Sequence, residues 1–226
     1  MKKYTQEEFD RFPVDERGRK QCPSGDYTLI QKFPECCSFG EWCSFGERCS
    51  FGKCCSFGKW CSFGERCSFG GCCSFGERCS FGERCSFGEW CSFGKWCSFG
   101  KWCSFGKWCS FGERCSFGGC CSFGERCSFG GCCSFGGWCS FGERCKCEFG
   151  EFTAMYTAGG FGSEGRTTYF FHMADGSICV RCGCFAGNIN EWENQVKKTH
   201  GNGVLAESYL LIGKAVRAIC DKPEEE

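Results

Sequence analysis

The chain has 226 residues, with 27 basic and 27 acidic side chains and no net charge. That balance gives no global electrostatic reason to expect nucleic acid or an anionic membrane as a partner, and no apolar run is long enough to span a bilayer. Only four prolines and as many as 27 phenylalanines argue against disorder, despite obvious low complexity. The opening Met1-Lys2-Lys3 has the lysines of a signal peptide with no apolar stretch behind them, so the expectation is a soluble cytoplasmic protein. Its 30 cysteines are then read as packed thiols rather than as a disulfide framework, because a reducing compartment keeps thiols free and free cysteine packs as a small apolar side chain.

Residues 1–36 read as an N-terminal cap. Thr5-Gln6-Glu7-Glu8 is a capping box that opens a short helix, which Pro13 would end. Tyr27-Thr28-Leu29-Ile30 reads as an extended segment feeding the first coil.

From Cys37 the tetrapeptide Cys-Ser-Phe-Gly recurs every six residues up to Cys139-Ser140-Phe141-Gly142, eighteen copies without insertion or deletion. Only two positions vary: the fifth is Glu, Lys or Gly, and the sixth is Trp, Arg or Cys. A helix with glycine at every sixth place would be poor, whereas an extended chain puts the Cys and Phe of each unit on one face and Ser on the other. Glycine at position four would supply the bend. Each unit is thus a short strand and a corner, and stacked coils pair their backbones about 4.8 Å apart.

Read from Phe39, the unit Phe39-Gly40-Glu41-Trp42-Cys43-Ser44 resembles the hexapeptide-repeat left-handed β-helix, over 108 of the 226 residues. The resemblance implies a mainly-β solenoid of about six turns of three hexads over residues 37–144. It departs from that class in using Phe where the class uses Leu, Ile or Val, so a flatter coil of two hexads stays open beside it. The enzymes of the class are mostly acyltransferases, and some relatives are zinc carbonic anhydrases. Both chemistries use histidines carried on the coils or their loops. The repeats here have no His, no Asp and no extruded loop, so the expectation is a protein that is not an enzyme.

Residues 145–226 read as a small α+β module. Phe152–Tyr156 forms a strand and Gly159–Gly162 a loop. Thr168–Met173 and Ser177–Phe185 form a hairpin about Ala174-Asp175-Gly176. Asn188 or Asn190 caps a helix that Gly201 stops. A second helix from about Val204 to Ile219 carries Leu205, Tyr209, Ile212, Val216 and Ile219 as its apolar stripe, and the acidic tail Glu224–Glu226 frays. A short N-terminal segment with Cys22-Pro23-Ser24-Gly25-Asp26-Tyr27, the repeats, and a module with Arg181-Cys182-Gly183-Cys184-Phe185 is also similar to uncharacterised proteins of gut anaerobes and their phages, a resemblance that implies no activity.

Two functions from different classes fit these features. The first is a non-enzymatic structural or binding solenoid with no cofactor, whose variable ridge meets a protein partner or a second copy. Trp90, Lys95, Trp96, Lys101, Trp102, Lys107 and Trp108 are its candidate residues, because exposed Trp on a rigid scaffold suits a contact surface. Every repeat Arg follows a Glu, which reads as local neutralisation, so no nucleic acid is expected. The alternative is a thiol-based protein binding zinc or Cu(I), or acting in redox chemistry. Its candidate ligands are Cys179, Cys182 and Cys184 with His172 or His200, and the sixth-position Cys54, Cys72, Cys120 and Cys132 are expected at the surface.

Overall fold

The computed structural model describes residues 1–161 and 166–221, in two compact units, Met1–Glu148 and Phe149–Glu226. The first unit is a parallel β-solenoid of about seven turns. Register settles the coil size: Ser80 and Phe81 pair with Ser62 and Phe63 on one side and with Ser98 and Phe99 on the other, so each turn takes 18 residues and three hexads. Each hexad makes three backbone hydrogen bonds to its neighbours. In one unit Ser98 N–H donates to the Cys79 carbonyl at 3.0 Å, Gly100 N–H to Phe81 at 2.9 Å, and Trp102 N–H to Gly119 at 3.0 Å.

The phenylalanines fit because their rings are oriented, not merely crowded. Phe81, Phe87 and Phe93 in one coil lie edge to face with centroids 5.1–5.8 Å apart and interplanar angles of 88°, so the three ring planes are mutually perpendicular. Along the axis each ring stacks flat on the next, as Phe87 does on Phe69 and Phe105 at 4.8 Å. Both arrangements suit the aromatic quadrupole, and they turn an overfilled interior into three continuous stacks. The cysteines fill the corners between them, nearly all buried, and from Cys61 onward each Sγ is directed at a glycine carbonyl of the preceding coil, as Cys97 is to Gly76 at 3.4 Å.

The structure corrects three expectations. The solenoid has about seven turns rather than six, because residues 20–36 wind a further coil without the repeat: Lys32 and Phe33 pair with Ser50 and Phe51, and Tyr27 stacks on Phe45 at 5.4 Å. Tyr27–Ile30 is therefore a corner and not a strand, while Lys32–Phe33 is the strand. The bend at each corner is not made by glycine. The residues at positive φ are those at position six, from Trp42 at 61° to Arg144 at 57°. Glycine at position four serves instead to let coils approach: a Cβ on Gly88 would lie 2.6 Å from the Gly71 nitrogen and 2.8 Å from the Gly70 carbonyl carbon. Gly88→Ala is accordingly expected to destabilise by about 1–3 kcal/mol through overpacking against backbone. Arg84→Gly should be neutral or gain about 1 kcal/mol by relieving the left-handed residue. Denaturant midpoints of the two variants check this, and similar losses at both positions would refute the division of roles.

The capping box is present on the short helix Gln6–Asp10, with Thr5 as N-cap and Glu8 answering it. Phe9 is buried with its ring edge-on to Phe33 at 5.4 Å, which closes the end of the aromatic stack.

In the second unit the strands Gly150–Phe161, Arg166–Met173, Ile178–Cys182 and Phe185–Asn188 form an antiparallel meander, followed by helices Ile189–His200 and Val204–Cys220. The expected long strand to Phe185 is broken at Gly183, whose φ of +58° makes a tight turn. Gly159–Phe161 belongs to a strand rather than a loop, and Gly162 and the acidic tail lie outside the described residues. Asn188, not Asn190, caps the first helix, in a capping box with Glu191. The second helix buries Ala206, Tyr209, Gly213 and Val216, while Leu205 and Ile219 are exposed. The stripe is displaced because Trp192 needs the flat surface of Gly213, where a Cβ would lie 2.9 Å from its ring. No described helix is long and apolar enough to cross a membrane.

Candidate nucleic-acid interface on the solenoid edges

With 18 residues per turn, position six of every third hexad falls on the same edge. The first edge carries Cys36, Cys54, Cys72, Trp90, Trp108, Arg126 and Arg144. The second carries Trp42, Trp60, Arg78, Trp96, Arg114 and Cys132, and the third Arg48, Arg66, Arg84, Trp102, Cys120 and Trp138. The four tryptophans expected as one ridge are therefore separated. Trp90 and Trp108 share an edge and stack at 4.9 Å, whereas Trp96 and Trp102 lie on the other two. Three units complete a turn, so consecutive units occupy different edges, and adjacency along the chain does not translate into adjacency on the surface.

Charge follows the same rule. Among the described residues, Lys59–Glu77, Lys95–Glu113 and Lys107–Glu125 pair between successive coils at 3.0–3.2 Å. Four of the seven repeat arginines instead lie over tryptophans: Arg78 over Trp60 at 4.5 Å, Arg114 over Trp96 at 4.7 Å, Arg126 over Trp108 at 4.5 Å and Arg84 over Trp102 at 5.3 Å. A guanidinium on a ring keeps its N–H donors at the rim, available to an anion. The Glu before each Arg in sequence is not its axial neighbour, so sequence adjacency overstated the neutralisation.

The third edge differs from the other two. Arg48, Arg66 and Arg84 stand on three successive coils, then come Trp102, Cys120 and Trp138. Arg84 lies over Trp102 at 5.3 Å and Lys101 at 6.0 Å, and Trp138 is 92% exposed. The small Cys120 stands between the two tryptophans on this edge, and position five beside Cys120 and Trp138 is Gly119 and Gly137. Two coils separate the tryptophans, about 9.6 Å at 4.8 Å per coil.

The second unit does not assemble the ligand set expected there. The Cys182 thiol accepts from the Thr168 hydroxyl at 3.1 Å and packs against the core, and Cys184 sits exposed beyond the Gly183 turn. His172 meets Thr153 at 3.2 Å, and His200 stacks on Tyr209 with centroids 5.7 Å apart. Cys179 is half-buried, its pKa raised by burial first and by Asp175 and Glu191 next. No three of His, Cys, Asp or Glu among the described residues converge to hold a metal.

A protein family described as RNA-binding, Nab2-type zinc finger matches residues 55–70, 90–106, 96–112, 102–118 and 133–146, together about a quarter of the chain. No curated protein and no solved structure matches. The match overturns the expectation that nucleic acid is excluded as a partner. It also raises zinc, through the zinc-finger description of the family. Each matched segment holds three repeat cysteines and no histidine, since the chain's two histidines lie beyond the repeats. Successive repeat cysteines occupy three different corners, and Cys97, Cys103 and Cys109 each direct Sγ at a glycine carbonyl, at 3.4–3.5 Å. The donor set in the repeats does not fit a tetrahedral zinc site.

Proposed function

We propose that this protein is a non-enzymatic binding scaffold that holds single-stranded nucleic acid along the third edge of its solenoid. The observation that carries the reading is the order of side chains on that edge: three guanidiniums on successive coils, then two exposed tryptophans two coils apart with the small Cys120 between them. Arginines at coil spacing suit phosphates, and exposed rings suit bases, since stacking on an aromatic face is sequence-tolerant. The family match supports the partner class through segments containing Arg66, Trp102 and Trp138. Rigidity favours the same use, because side chains fixed by a backbone ladder lose little entropy on binding. We read the coil itself as the left-handed hexapeptide type, whose turn is three units.

Fluorescence anisotropy of a labelled single-stranded RNA, read against salt, tests this. Trp102→Ala and Trp138→Ala are each expected to cost about 1–3 kcal/mol of binding. Arg66→Gln should lower the salt slope by about 1 without sequence preference. Trp42→Ala, on another edge, should leave binding unchanged. Absence of binding at low salt, or equal losses at Trp42 and Trp138, would refute the third-edge reading.

A further inference from the structure

The first edge carries a feature that nucleic-acid binding does not use. Cys36, Cys54 and Cys72 occupy the same corner of three successive coils, each with positive φ, at 58°, 58° and 59°. The backbone fixes their spacing: Cys36 N–H donates to the Lys53 carbonyl at 2.9 Å, Cys54 to Gly71 at 3.0 Å and Cys72 to Glu89 at 2.8 Å. Cys54 and Cys72 are exposed and Cys36 is half-buried. Cys54 and Cys72 leave the same corner of adjacent coils, about 4.8 Å apart along the axis. Of the other two sixth-position cysteines, Cys120 lies between Trp102 and Trp138 on its edge and Cys132 follows Arg114 on its own.

We infer that Cys36, Cys54 and Cys72 form a surface clip for a soft monovalent d10 cation, Cu(I) or its analogue Ag(I), held between thiolates of successive coils. Side chains leaving a rigid ladder in parallel, one coil apart, can grip an ion from both sides without backbone movement. A two-coordinate soft ion needs no third ligand, which is consistent with the lack of any converging group of three among the described residues. Thiolate sulfur selects such ions over hard ones. In the binding step two S–H bonds ionise, two protons leave to solvent, and two sulfur–metal bonds form, with no change in oxidation state. Both thiols must lose their protons to bind, so protons compete with the metal and affinity should rise with pH.

Cys54 is the central thiol, shared by both possible pairs, so Cys54→Ser should remove the site whichever pair is used. The test is anaerobic titration of the full chain with Cu(I) against a chromophoric Cu(I) chelator, with Ag(I) and native mass spectrometry as a second probe. The expected result is a single tightly held ion per chain, lost in Cys54→Ser and retained in Cys120→Ser, with circular dichroism confirming the fold of each variant. Bound metal should also protect Cys54 and Cys72 from alkylation, located by peptide mass spectrometry. Unchanged stoichiometry and affinity in folded Cys54→Ser would overturn the inference. So would alkylation of Cys54 and Cys72 at the metal-free rate in the metal-loaded chain.

Discussion

Raising the pH from about 8 to about 10.5 is expected to unfold the solenoid. Its interior holds columns of thiols; burial disfavours the thiolate along them, although at Cys55, Cys67, Cys79, Cys115, Cys121 and Cys127 hydrogen bonds from neighbouring thiols act first and lower the pKa. For Cys73, Cys97 and Cys103, hydrogen bonds to thiols of the coils on either side act first and burial second, and both push the pKa far above the ordinary value. Cys91 is pushed up to about 12, first by its hydrogen bond to Cys109 and also by burial, against an opposing contribution from Cys73. The sign follows from proton counting. Between the ordinary thiol value of 9.0 and the raised native value, the unfolded chain has lost protons that the native chain still holds, so stability falls as pH rises. The stabilisation is complete below 9.0 and is withdrawn as pH climbs toward 12, at about 1.4 kcal/mol per pH unit for each such thiol. Buried Tyr27, raised by burial first and then by Cys22 and Cys43, adds to the loss with the same sign. Several thiols acting together exceed the 5–15 kcal/mol by which domains are typically stable, about one to two pH units above the threshold. Denaturant midpoints measured at the two pH values check this under reducing conditions; equal midpoints would mean that the thiols do not titrate on unfolding as their burial requires.

Phe87→Ala is expected to cost about 3–5 kcal/mol, whereas Ser86→Ala should stay within about 0.5 kcal/mol. Phe87 is 4% exposed, its ring flat against Phe69 and Phe105 and edge-on to Phe81 and Phe93 at 5.1 Å. Truncation removes the apolar area and leaves a cavity that stiff neighbouring coils cannot close. Ser86 faces solvent beside it. Because each coil touches mainly its neighbours, the loss should be local, and the same substitution at Phe105 should cost a similar amount. Equal sensitivity at positions 86 and 87 would mean the faces are wrongly assigned.

The sequence alone determined the solenoid. Alternation within a six-residue unit separates Cys and Phe from Ser, and the structure buries the first two and turns the third outward along the repeat. It also placed Cys54, Cys72, Cys120 and Cys132 outside, since neighbours on an extended chain point to opposite faces. The capping boxes at Thr5 and Asn188 were legible for a related reason: they are contacts between residues three apart, which local spacing encodes.

What only the tertiary structure decided was everything that depends on the relation between residues eighteen apart. The repeats carried no periodicity that could distinguish a two-unit from a three-unit turn; the pairing register settled it, and three perpendicular stacks are what accommodate three phenylalanines in each coil. That single number then redistributed the surface. It separated Trp96 and Trp102 from Trp90, laid Arg78 against Trp60, and gathered Cys36, absent from the repeat, with Cys54 and Cys72. The further coil of residues 20–36 was hidden because Tyr27 and Phe33 fill phenylalanine places without the surrounding tetrapeptide. Glycine's true role was hidden likewise: a bend is a property of one residue, but the clash that forbids a Cβ at Gly88 lies in the coil beneath.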